Sequence, residues 1–241
     1  MFRNHYVSWD AEQAHMGDII ENPRLREQRF VFSSRYDAGR QLGSFLKTLP
    51  ALQNPLVLAI PAGGVPVGRE VARVLGAALS LAIVRKIRIP GTTESGFGAV
   101  TWDGQVLINE ALRDALGLSE ADVNRAIAET RKNVSERVAR FTGTRAILEP
   151  AGKTVILTDD GLASGFTMLA AIQSIRQKSP ARIIAAVPTA SAASAELVSR
   201  NVDLLVCLNI RSSRIFAVAD AYAEWCDLDD REVLEELAGA P

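Results

Sequence analysis

The segment Val155-Ile-Leu-Thr-Asp-Asp-Gly-Leu-Ala-Ser-Gly-Phe-Thr-Met168 sets the class of fold. Its apolar run is short and bounded, the pattern of a parallel strand covered on both faces. The strand ends in adjacent carboxylates, Asp159 and Asp160, then passes through a small-residue loop into a helix expected to open at Thr167. In open α/β sheets, ligands bind at the carboxyl ends of the strands. A helix start there offers unpaired backbone N–H groups and the positive end of its dipole to an anion. The aspartates would repel that anion. They suit the hydroxyls of something attached to it, such as a ribose, or a divalent cation, so the stretch asks for a sugar phosphate.

Similar units flank it. Upstream, Leu56–Ile60 reads as a buried strand running into Pro61-Ala-Gly-Gly-Val-Pro-Val-Gly68 and a helix through Leu75. Gly63 and Gly64 permit either a purely structural turn or the close approach of backbone to a second anion. Leu79–Val84 reads as the next strand and ends in Arg85-Lys86-Ile-Arg88, with a loop from Pro90 to Gly96 and a short strand near Phe97–Val100. A cation cluster at a strand end is ordinarily a solvated edge, but this one falls at the ligand end beside both glycine loops. Downstream come a helix through Lys178, a strand at Arg182–Val187, a helix from Ser191 to about Ser199 and a strand at Asp203–Leu208. This alternation predicts one doubly wound α/β domain with a mostly parallel sheet.

The remaining segments are peripheral. Residues 1–29 show no period and are expected to form an N-terminal extension to a domain over 30–241; His5 and His15 lie too far apart for one helical face and read as surface or satisfied histidines. Ser34–Lys47 reads as a scaffold helix with a Ser34/Asp37 capping box. From Asn109 to about Arg140 the sequence predicts a helical insertion, with Val123, Ile127, Val134 and Val138 along one face. Its Arg131, Lys132, Arg137 and Arg140 sit among glutamates, the mark of a solvated helix rather than a nucleic-acid surface; the insertion as a whole is a candidate homodimer contact.

Composition excludes several classes of function. The 241 residues are 48% hydrophobic and 23% charged, with a net charge of -1, which gives no general attraction to nucleic acid or an anionic membrane. Cys207 and Cys226 make neither a disulfide framework nor a metal-ligand spacing. No run reaches the length of a transmembrane helix, and Met1-Phe-Arg-Asn-His-Tyr6 lacks a signal-peptide core, so a cytoplasmic protein is expected. Gly152-Lys-Thr154 precedes a strand and has Ile147 where a P-loop needs glycine; Gly96-Phe-Gly98 has Thr101 where a dinucleotide fingerprint needs its third glycine.

With these residues in place, Val155–Thr167 resembles the phosphoribosyl pyrophosphate (PRPP) motif of type I phosphoribosyltransferases. The resemblance covers roughly residues 32–238. It is strongest to bacterial and archaeal phosphoribosyltransferases of unassigned substrate, which carry Phe-x-x-Arg-x-x-Ala-Gly, Gly-Gly-Val-Pro-Val, Val-Arg-Lys-Ile and Asp-Asp-Gly-Leu-Ala in the order found here. It implies that Asp159 and Asp160 hold the ribose hydroxyls, and that Ala163, Ser164, Gly165, Phe166 and Thr167 wrap the 5′-phosphate. Ala62, Gly63 and Gly64 would form the pyrophosphate loop. Arg85 and Lys86 would neutralise that group with help from Arg88, and the loop over 90–96 would cover the reaction. Mg²⁺ is expected to bind mainly through PRPP.

Some positions depart from the family pattern. Ala62 stands where relatives commonly carry Arg or Lys. Ser164 replaces the usual Thr, and Phe166 is bulky where small residues are common. Ala163 occupies the position of the acidic base of hypoxanthine-type enzymes, which argues against a 6-oxopurine acceptor. Resemblance to adenine-type enzymes makes Glu94 a candidate acid/base, the alternative being a solvated loop carboxylate. Phe216, Tyr222 and Trp225 could either stack on an acceptor base or pack in the core. The expectation is a Mg²⁺-dependent transfer of the phosphoribosyl group to an unidentified acceptor; the rival is a PRPP- or nucleotide-sensing protein that keeps the fold without the chemistry.

Overall fold

The computed structural model describes residues 7–8, 17–50, 52–89, 96–142 and 148–238. At its centre lies β8 (Thr154–Thr158), buried at every position. It pairs in parallel with β3 (Pro55–Ala59) on one side and β9 (Arg182–Ser191) on the other. With β4 (Ala78–Leu81), β10 (Leu204–Arg211) and β2 (Asp18–Glu21) these make a six-stranded sheet of order β2-β10-β9-β8-β3-β4. Every pairing in it is parallel.

The continuous apolar runs follow from the layers. Leu56, Leu58, Val155, Leu157, Ile183 and Ala185 face α5 (Phe166–Arg176) and α6 (Ala192–Ser199). The intervening Val57, Ile156, Ile184 and Ala186 face α1 (Arg35–Leu46) and α2 (Gly64–Leu75). Alternate side chains are thus buried on opposite faces, so no polar residue marks the period.

A second, four-stranded sheet of order β1-β7-β6-β5 corrects one expectation. It comprises β1 (Val7–Ser8), β7 (Val106–Ile108), β6 (Gly96–Thr101) and β5 (Val84–Arg88). Leu79–Val84 is not one strand: β4 ends at Leu81, Ala82 and Ile83 cross over, and β5 begins at Val84, antiparallel to β6. Leu81 through Val84 is buried throughout in two different clusters, so no turn residue signals the change of sheet. Arg85, Lys86 and Arg88 therefore lie within a strand of the second sheet rather than at the carboxyl end of a strand of the first.

The insertion expected over 109–140 is α3 (Glu110–Ala115) and α4 (Glu120–Thr142). Val123, Ile127, Val134 and Phe141 of α4 pack with Ile87, Phe97 and Val100 of the second sheet. Also in that cluster are Val233 and Leu237 of α7 (Asp230–Ala238). Asp230 bridges α7 to α4 through Arg137 at 2.9 Å and Arg140 at 2.5 Å. Part of the expected N-terminal extension, Asp18–Glu21, supplies the edge strand beside β10; it is too short and too acid-ended to show a period. His5 and His15 lie outside the described residues. No helix among the described residues is long and apolar enough to cross a membrane.

Candidate active site

The carboxyl ends of β3 and β8 lie in register, with Ala59 opposite Thr158. The Ile60 amide donates to the Thr158 carbonyl at 2.9 Å, so the loops that follow both strands start side by side. They then press together. A Cβ built on Gly63 would stand 1.8 Å from Asp160 Oδ2, and one on Gly64 would stand 2.8 Å from the Thr158 carbonyl oxygen. Only glycine fits such an approach. Gly64 is further committed, because its amide donates to the Ile60 carbonyl at 3.0 Å. The amides of Ala62 and Gly63 have no protein acceptor among the described residues.

The loop after Asp160 is equally defined. Leu162 bridges to Ala190 of β9, and the Ala163 carbonyl accepts from Ser191 Oγ at 3.2 Å and from Ser194 Oγ. Gly165 adopts φ 73°, a left-handed turn that lets α5 open at Phe166, one residue before the expected Thr167. The first α5 carbonyl–amide bond runs from Leu169 to Gly165, so the amides preceding it are left to face an incoming anion. Ser164 Oγ accepts from one of them, Phe166 N, at 3.4 Å. The Phe166 ring packs against the core under α5, which accounts for its bulk.

Between these loops and the second sheet lies a cleft of about 530 Å³. Ile60–Gly63, Asp159, Asp160 and Thr167 line it from the main sheet, and Val84, Arg85, Lys86 and Arg88 from β5. Ala126, Glu129, Thr130 and Asn133 of α4 complete the lining. Asn133 Oδ1 accepts from Arg85 Nε at 3.1 Å and so holds that guanidinium at the cleft. Burial and the nearby charge of Arg88 pull the Arg85 pKa below its ordinary value. Burial, and then the charge of Asp160, push the Asp159 carboxyl well above the usual carboxylate range. Burial raises Asp160 too, against the opposing pull of Arg35.

Of the residues singled out by sequence, Ala62, Gly63, Arg85, Lys86, Arg88, Asp159, Asp160 and Thr167 meet in this one cleft. Gly64 lies behind it, while Ala163 and Ser164 are exposed beside the start of α5. Glu94 lies outside the described residues. None of Phe216, Tyr222 and Trp225 lines the cleft. Tyr222 is buried and donates to the Asp160 carbonyl at 2.6 Å, Trp225 lies against Arg35, and Phe216 lies against Arg211.

Sequence reasoning missed the α4 residues and Arg35. Positions 126, 129, 130 and 133 do fall at helical spacing, but a polar stripe beside an apolar one reads as a solvated face until a second element covers it. For Arg35 the signal was present in the Phe-x-x-Arg block, without any hint of its partner.

The donor set bears on magnesium. Asp160 is occupied by Arg35, so the cleft offers two carboxylates, Asp159 and Glu129, without an ion pair among the described residues, and no group of three or more possible ligands there could cage a metal. That suits an ion carried on substrate oxygens rather than one caged by protein.

Two loops with amides unbonded among the described residues, facing a basic strand across one cleft, give this α/β domain a cleft suited to a phosphorylated ligand. Residues 46–224 match the sequence model of the phosphoribosyl transferase domain, and the chain belongs to that family. Chains from two strains of Mycobacterium tuberculosis, CDC 1551/Oshkosh and H37Rv, are 32% identical to it over 207 residues, which are 86% of this chain and 46% of theirs. Both carry a provisional phosphoribosyl transferase assignment, and this chain spans about half their length. The crystal structure of TT1426 from Thermus thermophilus shares 34% identity, covering 87% of this chain and 98% of that one with a TM-score of 0.72.

Proposed function

We propose that this protein is a cytoplasmic phosphoribosyltransferase that moves the 5-phosphoribosyl group of PRPP to a small acceptor and releases pyrophosphate. The observation that carries this reading is the convergence of both loops and the β5 cations on one cleft. The α5 start and Ser164–Thr167 would take the 5′-phosphate, and the aspartate pair would take the ribose. Ala62 and Gly63 amides, with Arg85, Lys86 and Arg88, would take the pyrophosphate. Gly64 contributes by lacking a Cβ, since its amide is already used.

The reaction forms a bond from the acceptor to the ribose C1 and breaks the C1–oxygen bond to pyrophosphate, which leaves with the electron pair. Positive charge builds on the sugar and negative charge on the leaving group. Arg85, Lys86 and Arg88 would meet that negative charge, and fixed charges of this kind usually contribute more to catalysis than any other single effect. Mg²⁺ bound to the pyrophosphate oxygens would neutralise a further part of it. The 90–96 loop would cover the site and exclude water, with Glu94 as its candidate acid/base. Glu129, Thr130 and Asn133 line the rest of the cleft, which Phe216, Tyr222 and Trp225 do not reach.

A sensor without chemistry is the second reading, favoured by the absence of a cationic side chain at position 62. Calorimetry with Mg²⁺–PRPP and pyrophosphate release over a panel of nucleobases tests both. Binding with release supports the enzyme, and binding without release from any acceptor supports the sensor. Asp159→Asn combined with Asp160→Asn should abolish binding; unaltered affinity in that double variant would refute the ribose assignment.

A further inference from the structure

Arg35 does not line the cleft, yet it is only 7% exposed. A guanidinium is kept in such a place only when its charge and donors are matched. Its Nε donates to Asp160 Oδ2 at 2.8 Å, and its Nη1 donates to the Cys226 carbonyl at 2.7 Å. Its central carbon lies 3.8 Å from the centroid of the Trp225 ring, a distance at which the cation is drawn to the ring face. Asp160 is fixed on other sides as well. Its Oδ2 stands where a Cβ on Gly63 would go, and its carbonyl accepts the Tyr222 hydroxyl at 2.6 Å. Asp159 differs: it has no ion pair among the described residues, and its Oδ1 accepts from the Asp160 amide at 2.9 Å.

We propose that Arg35 is a positioning residue that holds Asp160 as an anionic strut between α1 and the Gly63 loop and so fixes the aspartate pair where it would meet the ribose. The part concerning the ribose rests on the PRPP reading above; the strut does not. Two adjacent carboxylates in a desolvated floor disfavour double ionisation, and the one beside a cation keeps its charge. Arg35 selects Asp160 for that charge. The titratable groups facing Asp160 are Arg35 from α1, Asp159 in its own loop and Tyr222 from the C-terminal segment. The Tyr222 phenol, pushed far up by burial and then by the Asp160 charge, stays a donor. The glycine loop contributes no titratable side chain. The two aspartates, equivalent in sequence, then differ: Asp160 also braces the Gly63 loop against the body, and Asp159 has no ion pair among the described residues.

The test uses the full chain as wild type, Arg35→Gln and Arg35→Lys, each checked for cooperative unfolding. Carboxyl-carbon NMR follows the titration of Asp159 and Asp160 without ligand, and calorimetry measures Mg²⁺–PRPP affinity from mildly acid to mildly alkaline pH. In Arg35→Gln the Asp160 midpoint should move upward and PRPP affinity should fall about tenfold or more, as for loss of a charged hydrogen bond. Arg35→Lys should recover part of both, because it restores the charge without the second bond to Cys226. A folded Arg35→Gln protein with the wild-type Asp160 midpoint overturns the strut. An altered midpoint with unchanged PRPP affinity overturns the positioning role. If Arg35→Gln does not fold, the wild-type titration decides, and an Asp160 midpoint above that of Asp159 overturns the proposal. Should wild type not bind PRPP, the transferase reading fails while the ligand-free titration still decides the strut.

Discussion

Gly63 shows what the neighbours of a residue add to its sequence. In sequence it fits either a structural turn or a backbone that approaches a ligand; in the structure the atom nearest to where its Cβ would stand is Asp160 Oδ2, at 1.8 Å. The glycine is required by the neighbouring loop before any ligand arrives. Gly63→Ala should therefore push Asp160 off Arg35, at a cost of about 1–3 kcal/mol in stability, as for other overpacked sites. Chemical unfolding and PRPP calorimetry check it, and a variant with wild-type stability and affinity would show that the two loops separate freely. Asp159 and Asp160 were legible as the business end of a strand. Their inequality was not, because it depends on Arg35, far away in sequence.

At the scale of elements, α4 carries the main revision. Its apolar face was readable, and the packing of Val123, Ile127 and Val134 agrees with it. The adjacent polar stripe gains meaning only because the second sheet brings it over the loops of the first. Asp230 of α7 holds α4 there through Arg137, which is buried, and Arg140. Asp230→Ala should leave the Arg137 charge unmatched and cost about 1–3 kcal/mol. Hydrogen exchange should then quicken along α4 more than in β8, and PRPP should bind more weakly as Asn133 loses its place beside Arg85. Unchanged exchange in α4 would mean that apolar packing alone fixes the helix. The change of sheet between β4 and β5 was hidden for a related reason: a buried crossover needs no glycine or proline.

Over the whole molecule, the buried carboxylates at the cleft should be visible in stability. Asp159 titrates near pH ~4 when unfolded and well above its ordinary value when folded. Between those values the folded state holds a proton that the unfolded state has released, so stability falls as pH rises through the window. Asp160, raised in the same direction, adds to the slope. Asp159→Asn should flatten that decline and raise the thermal midpoint at mildly alkaline pH while weakening PRPP binding. A parallel pH profile in wild type and variant would show that the Asp159 carboxyl is not held up in the fold. Under the proposed function, stability given up at this floor is the expected exchange for a site that accepts a ligand.

The sequence by itself determined the alternation of strands and helices, the two loops at the ligand end and the residue types able to meet a phosphorylated sugar. These are local matters of period, small residues and charge, written within a few positions of one another. Tertiary structure alone decided that β5 leaves the main sheet, that α4 faces the cleft and that Arg35 claims Asp160. Each of these joins residues separated by many positions. Their pairing arises from the packing of one layer on another, and no local pattern in the chain records which layer will arrive.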